Sequence, residues 1–208
     1  MHARRALFRR VLTLVWVACL LAGLVLMANF GYGMWKGVAE QQHLNQVWTH
    51  QAGASRPPAT AVDPGLKHPV DGVDFAIRIP KLDYYAAIRE GVDSGVLYAS
   101  PGHYPQTQWP GDPGTVGVAA HNVYWINFPQ LVKGDEIDLE TRYGIFRYRV
   151  VDTEIVNPND RTALVTDSNG YHLTLTTCWP LWAGAFATQR YIIHTDQFWP
   201  VTQRPGYT

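Results

Sequence analysis

The sequence predicts an all-β domain, a barrel or a sandwich, that follows one apolar N-terminal segment. Residues 136–140 and 145–151 alternate strictly between apolar and polar side chains, which is typical of strands with one buried and one solvated face. Further short runs rich in β-branched and aromatic residues are separated by turns that contain glycine and proline. Only short helical patterns occur in this part of the sequence, so an all-β architecture is favoured.

The N-terminal segment has the length and charge pattern of a membrane anchor. Four arginines lie within the first ten residues, and an uncharged, mostly apolar run follows over 11–28. As a helix this run would be about 27 Å long, close to the thickness of a bilayer's hydrocarbon core. We therefore expect a transmembrane signal anchor over residues 11–30. Because only Lys36 follows closely, residues 1–10 are predicted to be cytoplasmic and the remainder to lie outside the cell membrane.

A cleaved signal peptide is the alternative for this segment. Its apolar core would be shorter, and it would need a small residue, a spacer and a second small residue before the cleavage point. The sequence Leu26-Met27-Ala28 has a bulky residue where the first small one is needed. The uncleaved anchor is therefore favoured.

The region between the anchor and the β-rich domain spans residues 31–72. Its first part, to about residue 55, is polar and rich in glutamine and histidine, which predicts a helical stalk. Four prolines between 56 and 71 then predict an extended linker. The β domain is expected over residues 73–200, followed by a C-terminal tail over 201–208.

Seven or eight short strands are expected in the β domain. Each candidate is a short run of alternating or β-branched residues that ends at a glycine, a proline or a polar turn. Short helical pieces are expected near 94–99 and 125–131. The strand candidates are, in chain order, 75–80, 82–89, 115–120, 136–140, 145–151, 171–177 and 189–194.

Charge and cysteine content narrow the function classes. The formal net charge is +0, so the strongly basic surface that nucleic-acid binding requires is not expected. No two histidines or cysteines occur at metal-ligand spacing, and neither a metal site nor a cofactor is predicted.

Cys19 lies in the predicted anchor and Cys178 in the exported domain, so the two cannot pair within one chain. A lone cysteine is often only a small apolar core residue. A free thiol that is kept in an oxidising compartment, however, favours a functional role for Cys178.

Three side chains at strand ends form the candidate catalytic group. Cys178 ends the strand candidate 171–177, and His121 ends the candidate 115–120 in the same way. Arg190 opens the next strand twelve residues after Cys178, so an antiparallel hairpin would place it beside the thiol. A cysteine nucleophile needs a base or cation to support its thiolate and a donor for the oxyanion that it generates. His121 and Arg190 are the residue types that meet these needs.

The same residues resemble the signature of the sortases, which are membrane-anchored cysteine transpeptidases of mainly Gram-positive bacteria. The signature is Thr174-Leu175-Thr176-Thr177-Cys178, with a histidine that ends an upstream strand and an arginine that opens the next. The resemblance covers roughly residues 73–195, and the Cys-to-Arg spacing with an aromatic residue and proline after the cysteine is most similar to class D, with class E second. Other matching segments, in family order, are 79–82, 102–105, 113–117, 131–137 and 148–150.

The resemblance implies a closed β-barrel of about eight strands and a transpeptidation reaction. It implies that Cys178, His121 and Arg190 cleave a Leu-Pro-x-Thr-Gly-like sorting signal between Thr and Gly and transfer the acyl group to an amine. The implied partners are surface proteins that carry such a signal, and an acceptor amine of a cell-wall precursor or a pilin lysine. Substrate contacts are expected from residues beside the nucleophile, namely Thr177, Trp179, Leu181 and Trp182.

One departure and two alternatives accompany this interpretation. The family commonly has Gly-His-Arg at the histidine, whereas this chain has Ala120-His121-Asn122, which alters the local pairing that the arginine makes. A membrane-tethered β domain that binds peptide or glycan without catalysis is one alternative. A cysteine peptidase that cleaves peptides without transferring them to an amine is the other.

Overall fold

The computed structural model describes residues 2–52, 64–160, 162–164 and 169–200. The central part of the predicted linker and the predicted tail at 201–208 lie outside these residues. Two compact units are present, one up to Ala39 and one from Glu40 onward. The elements are α1 (His2–Ala52), β1 (Phe75–Ile79), β2 (Tyr84–Glu90), α2 (Ser94–Leu97), β3 (Gly102–His103), β4 (Gly114–Ala120), β5 (Glu136–Thr141), β6 (Gly144–Val156), β7 (Tyr171–Trp179) and β8 (Gln189–Trp199).

The eight strands form a closed barrel in the order β1-β2-β3-β4-β7-β8-β6-β5. The closed barrel that the resemblance implied is therefore confirmed. Two neighbouring pairs, β2 with β3 and β4 with β7, run parallel, and the other pairs are antiparallel. Seven strands coincide with sequence candidates, whereas the two-residue β3 lies in a segment for which no strand was expected.

The hydrophobic core fills the barrel interior. On β7 the core residues are Leu173 and Leu175, so strand alternation directs Thr174, Thr176 and Cys178 to the outer face. On β4 the core residues are Val116, Val118 and Ala120, which leaves Gly117 and Ala119 on the same outer face. The outer face of β4 and β7 therefore combines small and polar residues and leads to Cys178.

The apolar part of α1, in the first unit, is the one helix among the described residues that is long and apolar enough to cross a membrane. It has a mean hydropathy of 2.6 over an 18-residue window, and none of that window is buried inside the protein. Its large apolar side chains, such as Trp16 and Leu24, are exposed. This pattern matches the predicted signal anchor.

The last turns of α1, in the second unit, pack against the barrel. Trp48 is completely buried and Leu44 is 5% exposed, and both belong to the core cluster. Asn45 Oδ1 accepts a hydrogen bond from the backbone N–H of Ala87 at 2.7 Å, and Gln41 Nε2 donates to the carbonyl of Ala87 at 3.3 Å. β3 pairs with β2 only at Arg89 and Glu90, so it offers no hydrogen-bond partner to the backbone of Ala87. The side chains of Gln41 and Asn45 supply these hydrogen bonds instead. The segment interpreted as a stalk therefore ends in a helix that is part of the folded unit, and this unit begins before residue 73.

Candidate active site

The parallel pairing of β4 with β7 brings the predicted nucleophile and histidine together. Ala120 is the register partner of Thr177, so His121 and Cys178 are the next residues along two adjacent parallel strands. The hydroxyl of Thr177 donates to the carbonyl of Ala120 at 2.9 Å and joins the two strand ends across 57 residues of sequence. The structure therefore places both side chains at the same end of the same strand pair.

The third predicted residue lies on the neighbouring strand. β7 and β8 form the expected antiparallel hairpin, and Cys178 is the direct register partner of Arg190. Cys178 is a free, half-buried thiol, and Arg190 is half-buried as well. The guanidinium donates to the carbonyl of its own neighbour Gln189 at 3.1 Å. Among the described residues it forms no ion pair, so its positive charge is available to a ligand.

His121 differs from the other histidines of the barrel in having no side-chain partner among the described residues. His103 is buried, with Nδ1 3.0 Å from Asp74 Oδ2 and Nε2 3.0 Å from the carbonyl oxygen of Gln108. His172 and His194 pair with carboxylates on neighbouring strands. His121 is half-buried, and this burial lowers the pKa of its imidazole because it disfavours the charged form. An imidazole that is free to exchange protons is what general acid–base chemistry requires.

The loops that follow the histidine and the cysteine are joined by one hydrogen bond. Asn122, which stands where the resemblance has arginine, is buried, and its side-chain amide donates to the carbonyl of Leu181 at 2.6 Å. Leu181 begins the 3₁₀ turn Leu181–Phe186, which connects β7 to β8. The asparagine therefore couples the position of the His121 loop to that of the loop beyond Cys178.

The four predicted substrate contacts fall in different environments. Thr177 is 3% exposed and its hydroxyl donates to the carbonyl of Ala120, so a substrate contact of this residue stays a prediction that only its backbone could fulfil. Trp179 is half-buried and stacks on Tyr191 with a centroid distance of 5.4 Å. Leu181 is half-buried, while Trp182 is 87% exposed. Phe186, in the same turn, is 89% exposed and was not singled out from the sequence.

Tyr104 is a site neighbour that the sequence did not indicate. It follows β3, and the charges of Arg190 and Cys178 and the side chain of Thr176 all affect its phenol. Burial is the largest effect and raises the pKa of Tyr104, so the hydroxyl stays protonated at neutral pH. Its segment, 102–105, was part of the family resemblance, and the closed barrel places its ring beside Gly117 of β4, where an added Cβ would lie 3.0 Å from the ring carbon Cδ2.

The described residues contain no group of three or more histidine, cysteine, aspartate or glutamate side chains arranged to hold a metal ion. The strand ends bring together residues that carry a thiol, an imidazole and a guanidinium. Such a set can form and resolve a covalent acyl thioester.

Comparison with known proteins identifies relatives of one kind. A family model described as the sortase domain matches residues 77–197. Sortase D of Bacillus subtilis (strain 168) is 33% identical over 119 residues, which cover 57% of this chain and 60% of that protein. The match thus spans 60% of this relative, which is less than two thirds of its length.

Solved structures show the same barrel. A sortase D5 transpeptidase of Clostridium perfringens matches with a TM-score of 0.55 and 28% identity, over 61% of this chain and 78% of that one. Sortase C1 of Streptococcus agalactiae matches with a TM-score of 0.60 and 19% identity, over 80% of this chain and 89% of that one, and this match shows the fold alone. The two D-type relatives agree with the class D resemblance.

Proposed function

Because the chain belongs to the sortase family, we propose that it is a membrane-anchored cysteine transpeptidase that acts on a Leu-Pro-x-Thr-Gly-like sorting signal. The observation that carries the proposal is the strand register. It makes His121 and Cys178 the next residues after the paired Ala120 and Thr177, and it pairs Cys178 with Arg190. Base, nucleophile and cation thus meet at one end of the barrel.

In the first half-reaction the Cys178 thiolate attacks the carbonyl carbon of the threonine that precedes glycine. The new S–C bond converts this carbonyl to a tetrahedral oxyanion, and the Arg190 guanidinium donates hydrogen bonds to its oxygen. The C–N bond to glycine then breaks as the protonated imidazole of His121 gives its proton to the departing amine. The product is a thioester between threonine and Cys178.

In the second half-reaction an incoming amine resolves the thioester. His121, now neutral, accepts a proton from the amine as the nitrogen attacks the thioester carbonyl, and the thiolate of Cys178 leaves. Burial lowers the pKa of His121, which favours the neutral imidazole and hence its role as the base in this step. A cell-wall precursor or a pilin lysine would supply the amine.

The remaining predictions concern location and substrate contact. The arginine-rich start and the apolar helix support a single-pass anchor with a cytoplasmic N-terminus and an extracellular catalytic unit. Trp179, Leu181 and Trp182 remain candidates for the wall that holds the apolar end of the sorting signal. The exposed Phe186 extends that wall.

The test uses the full-length chain in detergent with a panel of Leu-Pro-x-Thr-Gly peptides, with and without hydroxylamine, followed by mass spectrometry of protein and products. A thioacyl adduct on Cys178 that hydroxylamine releases as a threonine hydroxamate is expected. Cleavage to the free acid at the same rate with and without the amine would instead indicate a simple cysteine peptidase. An alkylation-resistant Cys178 without adduct or cleavage would indicate a tethered binding domain.

A further inference from the structure

The loop that connects β7 to β8 adjoins the nucleophile at both of its ends. It spans residues 180–188 and lies between Trp179 and Gln189, which pair with each other across the hairpin. The next pair of this hairpin is Cys178 with Arg190. A thioester on Cys178 would therefore form directly beside this loop.

The loop 180–188 has little support of its own. None of its residues is buried, and none of them is charged. The backbone N–H groups of Ala183 and Ala187 donate to the carbonyls of Pro180 and Gly184, at 3.0 and 3.3 Å, and both bonds stay within the loop. A segment with few buried apolar contacts opens locally at a low cost in free energy. An interaction from outside the loop is therefore needed to fix its position.

Asn122 supplies this interaction. Its side-chain Nδ2 donates to the carbonyl oxygen of Leu181 at 2.6 Å. Within the part of the chain that the structure describes, this is the one hydrogen bond that joins the loop 180–188 to another segment. Asn122 is only 4% exposed, so water has little access to this amide and competes poorly with the carbonyl for it.

The asparagine stands on a rigid turn. The backbone N–H of Tyr124 donates to the carbonyl of His121 at 3.0 Å and closes the turn that contains Asn122. Trp125 follows this turn, is completely buried, and stacks on the buried Phe128 with a centroid distance of 4.2 Å. The Asn122 hydrogen bond therefore connects a fixed turn, which also carries His121, to a weakly supported loop.

The direction of this hydrogen bond determines where the loop lies. β7 has β4 on one side and β8 on the other. Because Asn122 follows β4, its bond to Leu181 draws the loop away from β8, across the end of β7 and toward His121. In this position an uncharged segment covers the strand end that carries Cys178.

The acyl enzyme of the proposed function has two fates. An amine attacks the thioester carbonyl, forms a C–N bond and releases the Cys178 thiolate. Water attacks the same carbon, forms a C–O bond and releases the same thiolate, which gives a free acid. In both cases one proton of the attacking molecule passes to His121. Because water is in large excess, transfer to an amine depends on the exclusion of water from this carbonyl.

We infer that Asn122 is a positioning residue for the loop 180–188: it holds the loop over the thioester, so that an amine rather than water resolves the acyl enzyme. The inference rests on the proposed function, because it concerns the second half-reaction. It predicts that the ratio of the two products depends on the hydrogen bond between Asn122 and Leu181.

The test compares full-length wild type with Asn122→Leu in detergent, on the Leu-Pro-x-Thr-Gly peptide at a fixed hydroxylamine concentration. Leucine has nearly the shape of asparagine but no N–H to donate. The measured quantity is the ratio of free acid to hydroxamate. Both products come from one thioester, so this ratio depends neither on the rate of acylation nor on the folded fraction. We expect it to rise about tenfold, which corresponds to the loss of one hydrogen bond. An unchanged ratio would overturn the inference.

Asn127→Leu is the matched control. Asn127 lies in the same segment after β4, but it is exposed, and its Oδ1 accepts from Gln130 Nε2 at 3.2 Å. This variant should keep the product ratio of the wild type, and a rise equal to that of Asn122→Leu would contradict the inference. If Asn122→Leu does not fold, Asn122→Ala decides by the same ratio.

A second measurement follows the loop without any turnover. Chymotrypsin cleaves after the exposed Trp182 and Phe186, and mass spectrometry identifies these cuts. Because cleavage requires local opening, it should be about tenfold faster in Asn122→Leu than in Asn127→Leu. Equal rates would show that Asn122 does not hold the loop and would reject the inference. A wild type that forms no thioester would instead refute the proposed function.

Discussion

The strand-end site and the helical seam formed by residues 40–52 on β2 differ in how their polar groups are used. At the seam, large apolar side chains are buried, and the side-chain amides of Gln41 and Asn45 are each hydrogen-bonded to the backbone of Ala87. At the site, the thiol and guanidinium are half-buried, and His121 has no side-chain partner among the described residues. The polar groups of the seam stabilise the fold, whereas those of the strand-end site are available to interact with a substrate. Substitutions in the two regions should therefore change different observables.

The largest effect is expected at the nucleophile. Cys178→Ala should abolish turnover and adduct formation completely, because the only other thiol, Cys19, lies in the apolar helix of the first unit. The melting temperature should change little, since Cys178 is only partly buried. Peptide turnover and thermal unfolding of the same preparation measure both. The matched control, Cys19→Ala, should keep wild-type turnover, and residual activity in Cys178→Ala would reject the nucleophile assignment.

At the seam the effect should appear in stability instead. Trp48→Ala removes a completely buried indole and should lower the free energy of unfolding of the second unit by about 3–5 kcal/mol. Chemical denaturation followed by near-UV circular dichroism measures this change. At low temperature, where the variant is still folded, kcat/KM should equal that of the wild type.

Gln46→Ala is the matched control for the seam, because Gln46 is exposed on the same helix. It should change the free energy of unfolding by no more than about 0.5 kcal/mol. A Trp48→Ala protein as stable as Gln46→Ala would mean that residues 40–52 are only a stalk, as the sequence alone suggested.

Arg190→Lys tests whether the site depends on geometry as well as charge. An ammonium keeps the positive charge but cannot reproduce the planar donor fork, so kcat/KM should fall by about a hundredfold, in the range found when an oxyanion donor is lost. Steady-state kinetics on the peptide substrate give this value. Turnover near that of the wild type would identify Arg190 as a structural residue of the β7–β8 hairpin.

The smallest expected effect is a change in the pH dependence of stability at His121. Burial lowers the pKa of this imidazole in the folded state. Between the ordinary histidine pKa near 6.5 and this lowered pKa, the unfolded chain therefore binds more protons than the folded chain. Stability should therefore decrease with falling pH in this window. His121→Asn, which does not titrate, should show a shallower decrease in melting temperature over the same window. Parallel curves for the two proteins would mean that the imidazole is effectively solvated.

Sequence reasoning succeeded where chemistry and local pattern coincide. Strand composition and the turns between strands predicted seven of the eight strands, and the predicted hairpin that pairs Cys178 with Arg190 is present in the structure. β3 could not be predicted, because a two-residue strand has no periodicity. The seam was hidden for a similar reason, since Leu44, Val47 and Trp48 are few apolar residues in a polar segment, and only their spacings of three and four indicated one helical face.

Tyr104 and Thr177 show the other limit of sequence reasoning. The place of Tyr104 depends on tertiary pairing, because its ring lies beside Gly117 only once β3 has paired with β4. Its position before the nucleophile predicts that Thr177 contacts substrate, whereas strand alternation directs its side chain inward and its hydroxyl donates to the carbonyl of Ala120. Proximity in sequence to a catalytic residue does not determine which face of the strand a neighbour occupies.

The hydrogen bond between Thr177 and Ala120 also has a consequence for the order of folding. It closes a loop of 57 residues that contains β5 and β6, and closure of so long a loop is entropically costly until the intervening strands have formed. We therefore expect β4 and β7 to pair late, so that an unfinished chain carries Cys178 and His121 far apart. The two residues would then come together only when the barrel closes, so a partly folded chain would not yet carry an assembled site.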